Sequence, residues 1–174
     1  QYEVTRGEAR ADLVSQMMSD QAAILADLWG KRAEGLPYKT PEEAMVMASI
    51  VEKETGVPEE RARVASVFLN RLEQGMKLQT DPTVIYGLTK GKGVLGRGLR
   101  QSELRSNTPY NTYVIDGLPP GPIANPGRSA IEAALNPEQT EYLFFVADGT
   151  GGHVFAETLA EHNKNVEKWR AIEA

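Results

Sequence analysis

At 174 residues, with 41% hydrophobic and 25% charged residues, the chain has the size and balance of one packed domain, or of one domain with a small appendage. A net charge of -5 argues against nucleic acid as a partner, because phosphate binding needs a clustered excess of Lys and Arg. The lack of cysteine excludes disulfides, thiol nucleophiles and Cys-based metal sites, and no apolar run approaches the ~20 residues of a membrane span. No signal-peptide pattern is present. The chain opens at Gln1 without a Met, so it is expected to be an excised fragment with any N-terminal anchor outside it.

In chain order, Thr5-Arg6-Gly7-Glu8 resembles a capping box, and Leu13, Met17, Ile24 and Leu28 recur at helical spacing. Residues 6–29 therefore read as one or two helices, broken by Gly30 and Gly35-Leu36-Pro37. A second helix is expected over 41–55, with Thr40 as N-cap, Pro41 in the first turn, Glu43 closing a capping box and Gly56 as the stop. Pro58 opens a third, running to Gln74 and stopping at Gly75. Its stripe is Val64, Ala65, Phe68 and Leu72, with Arg61, Arg63 and Arg71 off that stripe.

From Met76 to Pro126 Gly, Pro, Thr and Asn are frequent and no long helical period survives. The stretch 90–98 reads as a mobile basic loop, since neither GxxxxGK[ST] nor GxGxxG order is present. Tyr142 to Ala147 reads as a buried strand, Asp148 to Gly152 as a Gly-rich turn and His153 to Ala156 as the returning strand of a hairpin. Thr158 with Glu161 starts a last helix. The fold class is α+β: helices first, a loop-rich middle, a small antiparallel hairpin and a final helix.

The chemistry-bearing candidates concentrate in four places. In the second helix, Glu52 projects between Ala48 and Met45 on an apolar flank, while Lys53 points to the polar face. A carboxyl group pressed against apolar neighbours loses solvation, its pKa rises, and it becomes a general acid near neutral pH. The helix alone leaves open the alternative that Glu52 stands at the edge of the stripe and reaches water. The middle segment adds LQTDPTVIYG at 78–87, YNTY at 110–113 and GLPPGPIANPG at 117–127. Pro and Gly hold such loops in shape, Tyr faces can stack on sugar rings, and Asn and Gln amides can bind hydroxyl and acetamido groups. Equally, buried Tyr and Asn can simply tie a loop down. A metal site is not expected: His153 and His162 fall in different elements with no HExxH or HxH spacing, and no GxSxG elbow accompanies them.

ASIVEKET at 48–55, FLNRL at 68–72, LQTDPTVIYG, YNTY, GLPPGPIANPG and YLFFVADGTGGHVF at 142–155 occur in this order. Together they resemble the endolytic murein (peptidoglycan) transglycosylases, the MltG/YceG-like family, over about residues 24–170. The resemblance implies that residues 6–174 are a catalytic domain with a helical, lysozyme-like core, and that residues 1–5 are the tail of a preceding LysM-like module. It implies a bacterial protein at the periplasmic face of the inner membrane, anchored by an N-terminal span absent from this chain. The catalytic residue it implies is Glu52, with Glu54 the second Glu of the motif. Gln79, Asp81, Thr83, Tyr86, Tyr110, Asn111, Tyr113 and Asn125 are the candidate substrate-binding residues, Tyr110-Asn111 corresponding to a YN motif of lytic transglycosylases. No cofactor or metal is implied. The partners are peptidoglycan glycan strands, with cell-wall synthases (penicillin-binding proteins) as further candidates. The reaction is cleavage of the β-1,4 bond between N-acetylmuramic acid and N-acetylglucosamine without water, leaving a 1,6-anhydro end.

Three other readings compete. A water-using glycosidase needs a second carboxylate, for which Asp81 is the candidate against a turn-capping role. A noncatalytic glycan-binding module would bind without cleaving. A pyridoxal-phosphate lyase needs a Schiff-base lysine in a phosphate-binding pocket, which Lys53 on its polar face does not supply.

Overall fold

The computed structural model describes residues 10–92, 95 and 97–174. The Thr5–Glu8 capping box lies outside the described residues, as does part of the basic stretch 90–98. Among the described residues the elements are α1 (Arg10–Gly30), α2 (Pro41–Glu54), a 3-10 turn (Pro58–Glu60), α3 (Arg61–Glu73), α4 (Asp81–Thr89), α5 (Gln101–Leu104), α6 (Arg128–Leu135), β1 (Phe144–Ala147), β2 (His153–Ala156) and α7 (Leu159–Glu173). This is the α+β arrangement expected of the sequence. Among the described residues no helix is long and apolar enough to cross a membrane.

α2 is the axis of the domain. Every residue from Ala44 to Val51 is buried, so the helix is covered on all sides, by α6, α3, α1 and α4. That is why its sequence shows no clean polar face: a helix without a solvent side need not be amphipathic. Thr40 Oγ1 accepts the Glu43 N–H at 3.3 Å, as an N-cap does. The Glu43 carboxylate accepts from Lys39 N, not Thr40 N, so the capping box closes one residue earlier than expected. The helix ends at Glu54 rather than at Gly56. Thr55 turns to extended backbone, and its hydroxyl accepts the Val57 N–H at 3.1 Å. Glu52 and Glu54 thus occupy the last turn, where the axial helix leaves the core.

α3 buries Val64, Ala65 and Phe68 and half-buries Leu72, as its stripe requires, but it also buries Arg71. Arg71 follows Val64 and Phe68 at i+7 and i+3, so it continues the apolar side instead of standing off it. Its Nε donates to Leu143 O at 2.7 Å and its Nη1 to Lys77 O at 2.9 Å, which is how a buried guanidinium is tolerated.

Three helices were not expected: α4, the short α5 and α6. LQTDPTVIYG is not a rigid loop but leads into α4, with Asp81 and Pro82 in its first turn, positions that suit both residues. Lys90 ends α4 in the left-handed region. α6 buries Ala130, Ile131, Ala133, Ala134 and Leu135 against α2. The hairpin pairs Phe144 with Ala156 and Ala147 with His153, two residues shorter at its start than the sequence suggested, and β1 is half-buried rather than buried. Its turn uses Gly149 and Gly151 at φ +90° and +94°. Glu60 pins the hairpin to the start of α3: its carboxylate accepts from His153 N and pairs with His153 Nδ1, both at 2.7 Å. Thr158 caps α7, accepting Glu161 N–H at 3.2 Å.

Ile50 is fully buried among α2's neighbours. Ile50→Ala should lower the unfolding free energy by about 2–5 kcal/mol in urea titrations, since the axial helix has no free side into which the cavity can collapse.

Candidate functional site

Two residues apart on a helix means about 200° of rotation, so Glu52 and Glu54 leave α2 on nearly opposite sides. Glu54 continues the line of Met47, Ile50 and Val51, all fully buried. Glu52 continues the line of Met45, Ala48 and Ser49. The two carboxylates consequently meet different surroundings.

Glu54 faces a cleft of about 390 Å³ lined by Gln79, Asp81, Tyr113, Arg71 and His162 with apolar residues of α3 and β1. The Thr80 hydroxyl donates to its Oε1. Thr80 is itself held: its N–H donates to Thr112 Oγ1 at 2.9 Å, and the Thr112 and Thr83 hydroxyls lie 2.9 Å apart. Because its hydroxyl serves Glu54, Thr80 does not cap α4. Gln79 stands in the left-handed region at φ +50°, which a non-glycine residue adopts at a cost in backbone energy. Loss of solvation raises the Glu54 pKa above the ordinary carboxyl range, and the nearby Asp81 charge adds to this. The Thr80 hydrogen bond and His153 act in the opposite direction. Tyr113 donates its hydroxyl to Asp81 Oδ1 at 2.6 Å. Burial, with that bond and the charges of Asp81 and Glu54, raises the Tyr113 pKa, so the phenol stays protonated.

Glu52 is half-buried on the other side. Its Oε1 accepts the Gly127 N–H at 2.7 Å, joining the end of α2 to the N-cap of α6. A Cβ on Gly127 would stand 3.3 Å from that oxygen, so glycine allows the close approach. Glu52, Asn125, Pro126 and Arg128 line a second hollow of about 470 Å³ against Val14, Met18 and Gln21 of α1. Gln21 Nε2 donates to Pro126 O at 3.3 Å across it.

The candidate binding residues divide accordingly. Gln79, Asp81 and Tyr113 share the Glu54 cleft, and Asn125 lies beside Glu52. Tyr86 and Tyr110 pack on each other with ring centroids 4.7 Å apart. Thr83 and Asn111 are fully enclosed. Asn111 Nδ2 donates to Leu104 O at 3.1 Å and Ser106 O at 2.7 Å, and its Oδ1 accepts Tyr113 N–H at 3.0 Å. The cleft also contains Arg71 and His162, which sequence reasoning passed over. The available signal for Arg71 was its i+3 relation to Phe68. For Glu54 it was the i+7 relation to Met47.

The sequence model of the YceG-like family matches residues 1–168. The chain belongs to the YceG-like family. It is 49% identical over 125 residues to a protein named endolytic murein transglycosylase in Bacillus subtilis (strain 168), a match covering 72% of this chain and 34% of that protein. It is 38% identical over 133 residues to one of the same name in Streptococcus pneumoniae serotype 2 (strain D39), covering 73% and 23% respectively. A 2.6 Å crystal structure of a YceG-like protein from Listeria monocytogenes superposes with a TM-score of 0.79 at 39% identity, covering 94% of this chain and 52% of that one. The chain therefore matches about a quarter to a third of the length of these named relatives.

The raised Glu54 pKa has a stability signature in this YceG-like domain. The folded state holds the Glu54 proton more tightly than the unfolded state, so its contribution to stability is fully present below the unfolded value, near 4.3, and is lost as pH rises through the folded value. Glu54→Gln should flatten that part of the melting-temperature profile and stabilise the domain most at the high end of the window; parallel wild-type and variant slopes would contradict the assignment. Asn111→Ala should cost on the order of 2 kcal/mol in chemical denaturation, because it strips partners from two carbonyls and one N–H.

Proposed function

We propose that this domain is a lytic transglycosylase of bacterial peptidoglycan, and that its acid is Glu54, with Glu52 as a structural tether. The names of the relatives support the activity. The observation that carries the choice of carboxyl is the cleft: Glu54 accepts a hydroxyl there beside Gln79, Asp81 and Tyr113, and loss of solvation raises its pKa. The resemblance through the SIVEKE motif pointed to its first Glu. The geometry favours the second, because it shares its cleft with Gln79, Asp81 and Tyr113, three of the candidate binding residues, whereas Asn125 alone of them lies with the first.

The bond cut is the β-1,4 link from N-acetylmuramic acid to N-acetylglucosamine within a strand. Protonated Glu54 donates to the glycosidic oxygen as the bond from C1 breaks. The 2-acetamido oxygen of the muramic acid stabilises the positive charge at C1. The Glu54 carboxylate then takes the proton of the C6 hydroxyl, and O6 closes on C1 to give a 1,6-anhydro end. One carboxyl serves both proton transfers, and no water is consumed. Thr80 orients the Glu54 carboxyl, and Asp81, fixed by Tyr113, favours the protonated form before the first step. Gln79 and Tyr113 contact the sugar. Thr83 and Asn111 act as framework, and Tyr86 with Tyr110 supports the loop above α4. This activity places the domain on the extracytoplasmic side of the membrane, where it meets glycan strands and the synthases that make them.

One observation favours a second reading: Asp81 puts another carboxylate in the same cleft, as a water-using glycosidase requires. Digestion of purified sacculi separates the two, since anhydro ends by mass spectrometry mean transglycosylation and reducing ends mean hydrolysis.

Glu54→Gln should reduce turnover by at least on the order of 10²–10⁴, whereas Glu52→Gln should cost far less and act chiefly through stability. The reverse order in a sacculus-digestion assay would return the catalytic role to Glu52. Activity of the wild type should fall as pH rises through the elevated Glu54 pKa, because the protonated form starts the reaction; a rate that climbs through that region would contradict Glu54 as the acid.

A further inference from the structure

Arg71 lies on the wall of the Glu54 cleft and has no counter-ion among the described residues. It is 8% exposed and forms no ion pair among the described residues. Its Nε and Nη1 donate to two neutral carbonyls, and its Nη2 bonds to nothing among the described residues. Buried cations are ordinarily paired, because hydrogen bonds to neutral groups solvate a charge without neutralising it. Burial pulls the Arg71 pKa down, though an arginine stays charged at any physiological pH. The guanidinium stands 5.0 Å from the centre of the Phe144 ring, and His162 stacks on that same ring at 4.9 Å. His162 lines the cleft too, and its Nδ1 is buried without a partner. Two unsatisfied groups therefore meet at Phe144: a cation without an anion and an imidazole nitrogen without a bond. Among the described residues Arg71 is the only Lys or Arg lining the cleft. The two acids there are otherwise engaged, Glu54 by Thr80 and Asp81 by Tyr113.

We propose that Arg71 and His162 form a carboxylate-binding subsite beside Phe144 in the cleft, which receives an anionic group of the glycan strand. The inference rests on the reading of the cleft as a peptidoglycan site. Peptidoglycan offers carboxylates from two sources: the lactyl group of a muramic acid that has lost its stem peptide, and the stem peptide itself. Nη2 of Arg71 donates to one carboxylate oxygen, and His162, kept neutral by burial and by the Arg71 charge, donates through Nδ1–H. Such charge-assisted bonds in a partly dry cleft are the strong class. A strand carrying the anion is then held in one register relative to Glu54, and a neutral chitin-like strand is not.

The test is binding to the Glu54→Gln protein, which keeps the cleft but does not turn over. Four tetrasaccharides are titrated by calorimetry: alternating glucosamine–muramic acid with free lactyl carboxylates, the same with lactyl methyl amides, the same with stem peptides attached, and chitotetraose. A carboxylate-bearing ligand should bind about tenfold or more tightly than the methyl amide, with the advantage shrinking as salt is added. Preference for the free lactyl form identifies that source, and preference for the peptide form identifies the stem. The His162 ring resonances should move with the preferred ligand and not with the methyl amide. Arg71→Gln should abolish the preference and Arg71→Lys should restore part of it. Should neither variant fold, the carboxylate-to-amide ratio on the intact Arg71 surface still decides. Equal affinity for carboxylate and amide, with sugar binding intact, overturns the subsite and leaves the glycan cleft standing. Failure of all four ligands to bind overturns the glycan reading and the subsite with it.

Discussion

The structure turns on one carboxyl group partly withdrawn from water at the point where a buried helix ends. α2 is enclosed from Ala44 to Val51 and stops abruptly at Thr55. The carbonyl end of a helix is electrostatically unfavourable for a carboxylate, and desolvation penalises the charged form further. Glu54 is nonetheless held there by a hydroxyl delivered from a separate segment. That delivery recruits much of the middle of the chain. Gln79 takes up a left-handed backbone, Thr80 gives its hydroxyl to Glu54 instead of to α4, and Thr112 holds the Thr80 backbone. Strain and an uncapped helix are local costs that the surrounding packing sustains, a pattern concentrated at functional sites.

The two glutamates of one short motif show how helix rotation divides labour. Glu52 accepts a single backbone N–H and ties α2 to α6 at a glycine that admits the approach. Glu54 meets a hydroxyl, a second carboxylate and a cleft. Both sit in the same turn and differ by one residue from Lys53, which is exposed. What separates them is which neighbour each direction meets. The same logic governs the tyrosines: Tyr113 faces the cleft and donates to Asp81, while Tyr86 and Tyr110 pack ring against ring.

In the proposed reaction the substrate supplies the nucleophile and the charge-stabilising amide, so the protein need supply only a carboxyl that can give and reclaim a proton. The cleft suits that economy. Its acids are constrained by hydroxyl donors, its walls are aromatic and aliphatic, and the Arg71 guanidinium has no anion beside it among the described residues. The hairpin closes one side, held to α3 through Glu60 and His153.

The α+β class, the long helices α1, α2, α3 and α7, and the hairpin were legible in the sequence, because caps, prolines and apolar spacing act over a few residues. Thr40-Pro41, Thr158 with Glu161 and the Gly-rich turn at 148–152 are local physics. The motif order also marked the family. α4 escaped notice because Thr80-Asp81-Pro82 reads equally as a turn, and only docking against α2 makes the following residues helical. The surroundings of Glu52 and Glu54 could not be read from α2 by itself: a helix buried all round presents no reference side, so periodicity cannot say what each flank meets. The cleft exists because residues 71, 79, 113 and 162, far apart in the chain, meet around the end of α2. Burial, and with it the raised Glu54 pKa and the unpaired Arg71 charge, is a property of that meeting and of no single segment.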